Sequence, residues 1–257
     1  MGSTAVPQLR VPTSHSETPI RPYSHTRFPG YDSPMHKITD GVWRFRFLAA
    51  NMFNAYYVTD GREAIVIDAS TRWDFGPMRR QLAGKIVHHI ALTHAHPDHQ
   101  GCAARLARMF NCGLAVHEQE VASAEGHAPL VRQNFLFEIA GKIIWAGRCS
   151  KVTRPLREGD TIAGFTVYHM PGHTQGHIVF FRESDRVAIV GDVVNTNHPI
   201  FPFLTSVREP PTFFSANPAQ NRASIKRLAS LRPAIICAGH GPIVYGDTKL
   251  QQLAARL

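Results

Sequence analysis

Five short apolar runs in this 257-residue chain each end on a side chain that can hold a metal ion, and this repetition constrains the fold more than any other feature. Residues 86–92 lead into Thr93-His94-Ala95-His96-Pro97-Asp98-His99, with four metal-capable groups inside six positions. A continuing strand would send those groups to alternate faces. A loop at the carboxyl end of a strand can converge them, and α/β folds hold their ligands there. Residues 165–170 lead into Pro171-Gly172-His173-Thr174-Gln175-Gly176-His177, 186–190 into Gly191-Asp192, and 234–237 into Ala238-Gly239-His240-Gly241. Residues 64–67 end on Asp68 in the same manner. Glycine beside His173, Asp192 and His240 lets the backbone turn sharply at those points.

Between these runs the periodicity alternates between strand and helix. Trp43, Phe45 and Phe47 alternate with Arg44 and Arg46, which predicts a half-buried strand. Further strands are expected over 53–59, 63–67, 114–117, 161–170, 177–182 and 186–190. Helices are expected over 75–82 and 103–110, over a segment containing Ile225, Leu228 and Leu231, and from about Thr248. Residues 118–150 read as helical, with apolar segments at 135–139 and 143–145, and 198–218 as a Pro- and Phe-rich loop. The succession predicts α/β architecture. The first 36 residues hold six of the 18 prolines and no sustained period, so 1–36 is expected as an extended or disordered arm and 37–257 as one domain.

A net charge of +9 could serve an anionic partner. The basic residues, however, are scattered singly and in pairs such as Arg79-Arg80, so a generally basic surface is expected rather than a nucleic-acid site. The four cysteines form no CxxC pair, no run approaches the roughly 18 apolar residues of a membrane span, and no signal-peptide core opens the chain. The expectation is a cytoplasmic protein without a membrane partner; homodimerisation stays open.

The ordered set HxHxDH, PGHTxGH, GD and GHG, preceded by a strand-end Asp, resembles the metallo-β-lactamase superfamily, and within it the glyoxalase II-like and lactonase-like branch. The resemblance spans Asp68 to His240. It implies a four-layer αββα sandwich with two divalent metal ions at one edge, held by five histidines and two aspartates. His94, His96 and His173 would bind the first metal, Asp98, His99 and His240 the second, and Asp192 would bridge them. Asp98 and Asp192 would be the catalytic carboxylates, working with a metal-bound hydroxide. Asp68 would orient a ligand histidine through its second ring nitrogen. The ligand set suits zinc, with iron and manganese as alternatives.

The expected activity is hydrolysis of an ester, thioester or lactone, on a small acyl substrate of little charge with an apolar portion. A phosphodiesterase or ribonuclease on the same centre, a β-lactam hydrolase and a non-catalytic metal-binding module are the alternatives. Departures from the family's branches bear on these. Seventeen residues follow His240, where glutathione thioesterases carry a helical domain. Asn195 stands where many acyl-homoserine lactonases have Tyr, and true β-lactamases lack the bridging Asp at the fourth motif. His177 is expected to be structural, as are His88 and His89. His117 is expected to support the site or play no part, and His198 to be a solvated loop residue. Phe201, Phe203, Phe213 and Phe214 either pack on one another or wall the substrate pocket.

Overall fold

Strands with apolar side chains on both faces must be covered on both, and this sets the architecture. The computed structural model describes residues 34–47, 51–128, 144–197 and 205–257. In β4 (Ala64–Ile67) every side chain is buried, Ile65 and Ile67 on one face and Val66 on the other. Parallel to it in succession run β5 (His89–Ala91), β6 (Gly113–His117) and β7 (Val152–Leu156). With β1 (His36–Thr39), β2 (Val42–Arg44) and β3 (Tyr56–Thr59) they form a seven-stranded sheet in chain order. A second sheet takes β8 (Thr161–Ile162), β9 (Phe165–His169), β10 (Ile178–Arg182), β11 (Val187–Gly191), β14 (Ile235–Ala238) and β15 (Val244–Tyr245), in the order β15-β14-β11-β10-β9-β8. β12 (Asn195–Asn197) and β13 (Thr205–Arg208) form a separate antiparallel ribbon.

Three cores separate four layers. Ile65, Ile67, Tyr56 and Ala115 of the first sheet meet Phe165, Phe180 and Ile189 of the second. The outer face of the first sheet packs Val66, Ile90 and Leu114 on Met78 of α1 (Phe75–Gln81) and Leu106 of α3 (Ala103–Phe110). The outer face of the second packs Phe181, Val190 and Ile236 on Ile225 and Leu228 of α5 (Pro218–Ser230) and Leu250 of α6 (Thr248–Ala254). This is the αββα sandwich. Two short helices, α2 (Pro97–Gln100) and α4 (Val121–Ala124), lie in the loops that follow β5 and β6.

Strand direction assembles the site. β4, β5 and β6 are parallel, so their carboxyl ends share one edge of the first sheet. β9 and β11 both run antiparallel to β10, and β14 is parallel to β11, so the carboxyl ends of β9, β11 and β14 share one edge of the second. All five runs noted in the sequence therefore end at these two edges.

Several expected elements differ in the structure. The single strand over 161–170 is a hairpin, because Ala163 (φ 47°) and Gly164 (φ 78°) both take left-handed backbone and close a two-residue turn. The strand expected over 86–92 shortens to β5, leaving Ile86 67% exposed. Within 198–218, expected as a loop, β13 pairs with β12; its polar sequence TSVR carries no apolar alternation to announce it. β1 and β7 are edge strands that the periodicity missed, and Pro155 sits in β7 where an edge tolerates it. Of 118–150, the described residues hold a 3-10 turn at Glu118–Glu120, α4, and a helical residue at Ile144 that turns at Trp145 into irregular chain; residues 129–143, with the apolar segment 135–139, lie outside the described residues. Residues 1–33 of the expected arm also lie outside them, and His36 already pairs with Arg44.

At the rim where the sheets meet, the ring of His117 at the end of β6 stacks on His169 at the end of β9, centroids 4.1 Å apart and 12° from coplanar. Burial, and then the His169 ring, lower the His117 pKa to about 4; Glu118, Glu158 and Asp160 oppose this without outweighing it. A histidine depressed on folding contributes stability that is complete above its unfolded pKa near 6.5 and is lost as pH falls through about 4. That loss reaches at most about 3 kcal/mol. Urea denaturation at pH 7 and pH 4.5 is expected to show a larger stability loss for the wild type than for His117→Phe; equal losses would contradict the assignment.

Candidate metal centre

The centre is built from backbone turns that only some residues tolerate. Asp68, just past β4, takes φ 58°, a left-handed conformation uncommon outside glycine. Its carboxylate repays that cost by accepting hydrogen bonds from the Thr93 N–H at 2.8 Å and hydroxyl at 2.9 Å, and by meeting His99 Nδ1 at 2.9 Å. His99 is thereby aimed with its Nε2 at Asp192, whose Oδ1 lies 3.5 Å away. Gly239 passes so close that an added Cβ would stand 2.4 Å from Asp192 Oδ1 and 2.5 Å from His99 Cε1. No other residue fits there without displacing both donors.

Asp192 is the hub. Its Oδ2 lies 3.4 Å from His173 Nε2 and 3.2 Å from His240 Nε2, and its own N–H donates to His177 Nε2 at 3.0 Å. His240 Nε2 also faces Asp98 Oδ2 at 3.5 Å, and its Nδ1 donates to the Met52 carbonyl. On the other side His96 Nδ1 and His173 Nε2 approach to 3.0 Å, and His94 Nδ1 rests 3.1 Å from the Thr93 hydroxyl. Three donor groups result, each with ligand atoms within 4.8 Å of one another: His94, His96 and His173; His94, His99 and Asp192; and Asp98, His99 and His240. All seven residues singled out in the sequence are thus brought together, and Asp192 touches members of both expected ligand sets.

The electrostatics fit cations. His94 is fully buried, and burial with the surrounding imidazoles holds its pKa well below the usual value. It is therefore neutral, and its buried Nε2 has no hydrogen-bond partner among the described residues. Burial opposes protonation of His99 and His240, yet the carboxylates win: Asp68 and Asp192 raise His99, and Asp192 and Asp98 raise His240 to about 9. Burial likewise disfavours the Asp192 carboxylate, but His240 and His99 hold its pKa well below the carboxylate range. The cluster demands positive charge among the carboxylates, and divalent ions supply it without protons. A buried imidazole nitrogen with no partner and an imidazole-plus-carboxylate donor set both suit such ions.

Two residues that sequence reasoning missed hold the ligand loops. Glu120, buried after β6, accepts from the Ala95 N–H at 3.0 Å and the Gly176 N–H at 2.9 Å, tying the His94–His96 loop to the His173 loop. Asn54 donates from its side chain to the carbonyls of Ala238 (2.9 Å) and Gly241 (2.8 Å), bracketing His240. Neither sits in a motif; only the buried position of a polar residue marks them, and burial is invisible in one sequence. His177 is buried and accepts the Asp192 N–H, and His88 accepts from the Ala64 N–H at 2.9 Å.

A cavity of about 250 Å3 opens beside the cluster, walled by Phe53, Trp145 and Phe214 and by the polar Asn195, Asn197 and Arg208. Phe214 thus forms part of an apolar wall, while Phe213 is 46% exposed and rests its ring 4.3 Å from that of Phe214. Phe201, Phe203 and His198 lie outside the described residues. The fold also corrects the picture of scattered basic charge: Arg72, Arg105, Arg108 and Arg148 line one open groove with Trp73.

Fold and site together define a metallo-hydrolase. Residues 51–240 match the model of the metallo-beta-lactamase superfamily, and the chain belongs to that superfamily. It is 26% identical over 210 residues to a Bacillus subtilis (strain 168) protein named "Probable metallo-hydrolase YybB", covering 79% of this chain and 87% of that one. It is 31% identical over 185 residues to the hydroxyacylglutathione hydrolase of Cupriavidus taiwanensis, covering 68% of this chain but 57% of the relative. Among solved structures, TTHA1623 in a di-iron-bound form is similar with TM-score 0.61 and 30% identity, over 78% of this chain and 93% of that one. No helix among the described residues is long and apolar enough to cross a membrane.

The two supporting residues separate the two halves of the cluster. Glu120→Ala is expected to weaken metal retention by His94, His96 and His173, and Asn54→Ala retention by the half that includes His240. Each change should cost roughly 10- to 100-fold in affinity, the usual effect of losing a group that orients ligands. Chelator titration followed by elemental analysis checks this, each variant releasing one ion early; simultaneous release of all metal in both would contradict the division.

Proposed function

We propose that this protein hydrolyses an ester, thioester or lactone at a two-metal centre, with His94, His96 and His173 holding one ion, Asp98, His99 and His240 the other, and Asp192 bridging. The observation that carries the reading is the Asp192 carboxylate, placed within 3.5 Å of His99, His173 and His240 at the foot of a partly apolar cavity. When bound, two divalent ions would polarise the scissile carbonyl and bring a water towards ionisation near neutral pH. Zinc, iron and manganese all accept this donor set; the di-iron form of TTHA1623 supports a pair of metals.

The chain's own residues do the positioning. Asp98 presents a carboxylate oxygen on the cavity side of the cluster and can accept a proton from the attacking water, while Asp192 holds the donors of the two halves together. Phe53, Trp145 and Phe214 exclude solvent along the apolar part of the substrate. Hydrolysis then breaks the acyl carbon–oxygen or carbon–sulfur bond, forms a carbon–oxygen bond to water, and returns the water's proton to the departing alcohol or thiol. Outside the donor cluster the polar groups lining the cavity among the described residues are Asn195, Asn197 and Arg208, none of which donates a proton readily at neutral pH. An amide or lactam nitrogen needs such a donor, which favours oxygen and sulfur leaving groups.

The arginine groove favours a second reading, phosphodiester hydrolysis at the same centre. Trp145 lines the cavity while Ala146, Gly147 and Arg148 line the groove, so the two adjoin along the chain. A competitive panel decides between them. Metal-replete protein is expected to give its highest kcat/KM on an ester, thioester or lactone, and to lose that activity on chelation. A clearly higher value on bis(p-nitrophenyl) phosphate, RNA or a penicillin would overturn the acyl reading.

A further inference from the structure

We propose that Arg208 anchors a carboxylate on the substrate, so that the compound cleaved here carries an anionic group besides its acyl bond. The inference rests on the acyl-hydrolase reading and sharpens it, since the sequence suggested a substrate of little charge.

The argument starts from where Arg208 sits. It ends β13 and pairs in register with Asn195, three residues past Asp192, so the ribbon delivers its side chain to the wall of the same cavity that Asp98, Asp192 and His240 line. The guanidinium is held at one end only. Nε donates to the Asn197 carbonyl at 2.9 Å and Nη2 to the Asn197 side-chain oxygen at 3.4 Å. Nη1 has no partner among the described residues.

The charge is also uncompensated. Arg154, Arg157, Arg182, Arg222, Arg227 and Arg232 each pair with a carboxylate. Arg208 pairs with none among the described residues, although the next residue is Glu209, which turns to Arg222 at 3.0 Å. Arg208 is half-buried, and burial disfavours its charged form. A half-buried guanidinium without an acid is costly unless an anion completes it. The carboxylates across the cavity are engaged elsewhere: Asp192 with His99, His173 and His240, and Asp98 with His240. Metal ions would claim them more firmly still.

A planar guanidinium with an open edge is suited to a carboxylate, which it can meet through paired hydrogen bonds. At about 250 Å3 the cavity is smaller than pockets for drug-sized ligands, roughly 300–1,000 Å3. The substrate class that fits is a short acyl compound with a carboxylate at the end remote from the scissile bond, its hydrocarbon portion against Phe53, Trp145 and Phe214.

The test compares p-nitrophenyl butyrate with the mono-p-nitrophenyl ester of glutaric acid, which differs chiefly by a terminal carboxylate, on metal-replete wild type, Arg208→Ala and Arg208→Lys. Arg208→Ala is expected to lower kcat/KM for the glutarate ester by about 10- to 100-fold, mainly through KM, and to change the butyrate ester by less than about twofold. Arg208→Lys should recover part of the loss. Calorimetry with free glutarate supplies a readout independent of turnover, its affinity falling at least about tenfold in Arg208→Ala. An equal loss on both esters, or glutarate affinity unchanged in Arg208→Ala, would overturn the anchor. If neither ester is turned over while glutarate binding still depends on Arg208, the anchor stands and the acyl-hydrolase reading falls.

Discussion

A carboxylate buried among imidazoles makes a demand that the surrounding protein must satisfy, and Asp192 makes it here. Its oxygens face His99, His173 and His240, which in turn face Asp68, His96 and Asp98. Burial of these groups is tolerable only with compensating positive charge. Without metal the compensation falls to protons on His99 and His240. Divalent ions meet the same demand with fixed geometry and leave the imidazoles neutral, as His94 already is. The buried supports, Asp68, Glu120, Asn54 and His177, all serve to keep these donors close.

The sandwich supplies what that convergence needs. Its loops follow strands whose carboxyl ends point to shared edges, so ligands distant in sequence meet without any long element reaching across. The core between the sheets, with Phe165 and Phe180 against Ile65 and Ile67, fixes one edge relative to the other. The cavity follows from the same arrangement: the β12–β13 ribbon springs from the Asp192 loop and forms a polar wall, and Trp145 and Phe53 form the apolar one. Substrate choice is thus carried by the loops and chemistry by the strand ends.

Much of this was legible in the sequence, and the reason is physical. A donor group must sit where a strand stops, so an apolar run followed by His or Asp with a neighbouring glycine marks both the strand and the ligand; Asp192 after Gly191 and His240 after Gly239 are such cases. What escaped depended on contacts distant in the chain. Glu120 and Asn54 look like ordinary polar residues until burial is known. Arg208 lies in a strand of polar sequence whose partner is equally polar. Arg72, Arg105, Arg108 and Arg148 look scattered because they come from three separate segments that the fold brings to one groove. The turn at Ala163-Gly164 hid because alanine rarely adopts left-handed backbone.

The central claim is that Asp192 bridges two metal ions. Crystals of the zinc-loaded protein, measured for anomalous scattering on both sides of the zinc edge, test it most directly. The account predicts two peaks roughly 3.5–4 Å apart, one among His94, His96 and His173, the other among Asp98, His99 and His240, with an Asp192 oxygen between them. A single peak at saturating zinc, or two peaks with Asp192 turned away from both, would contradict it.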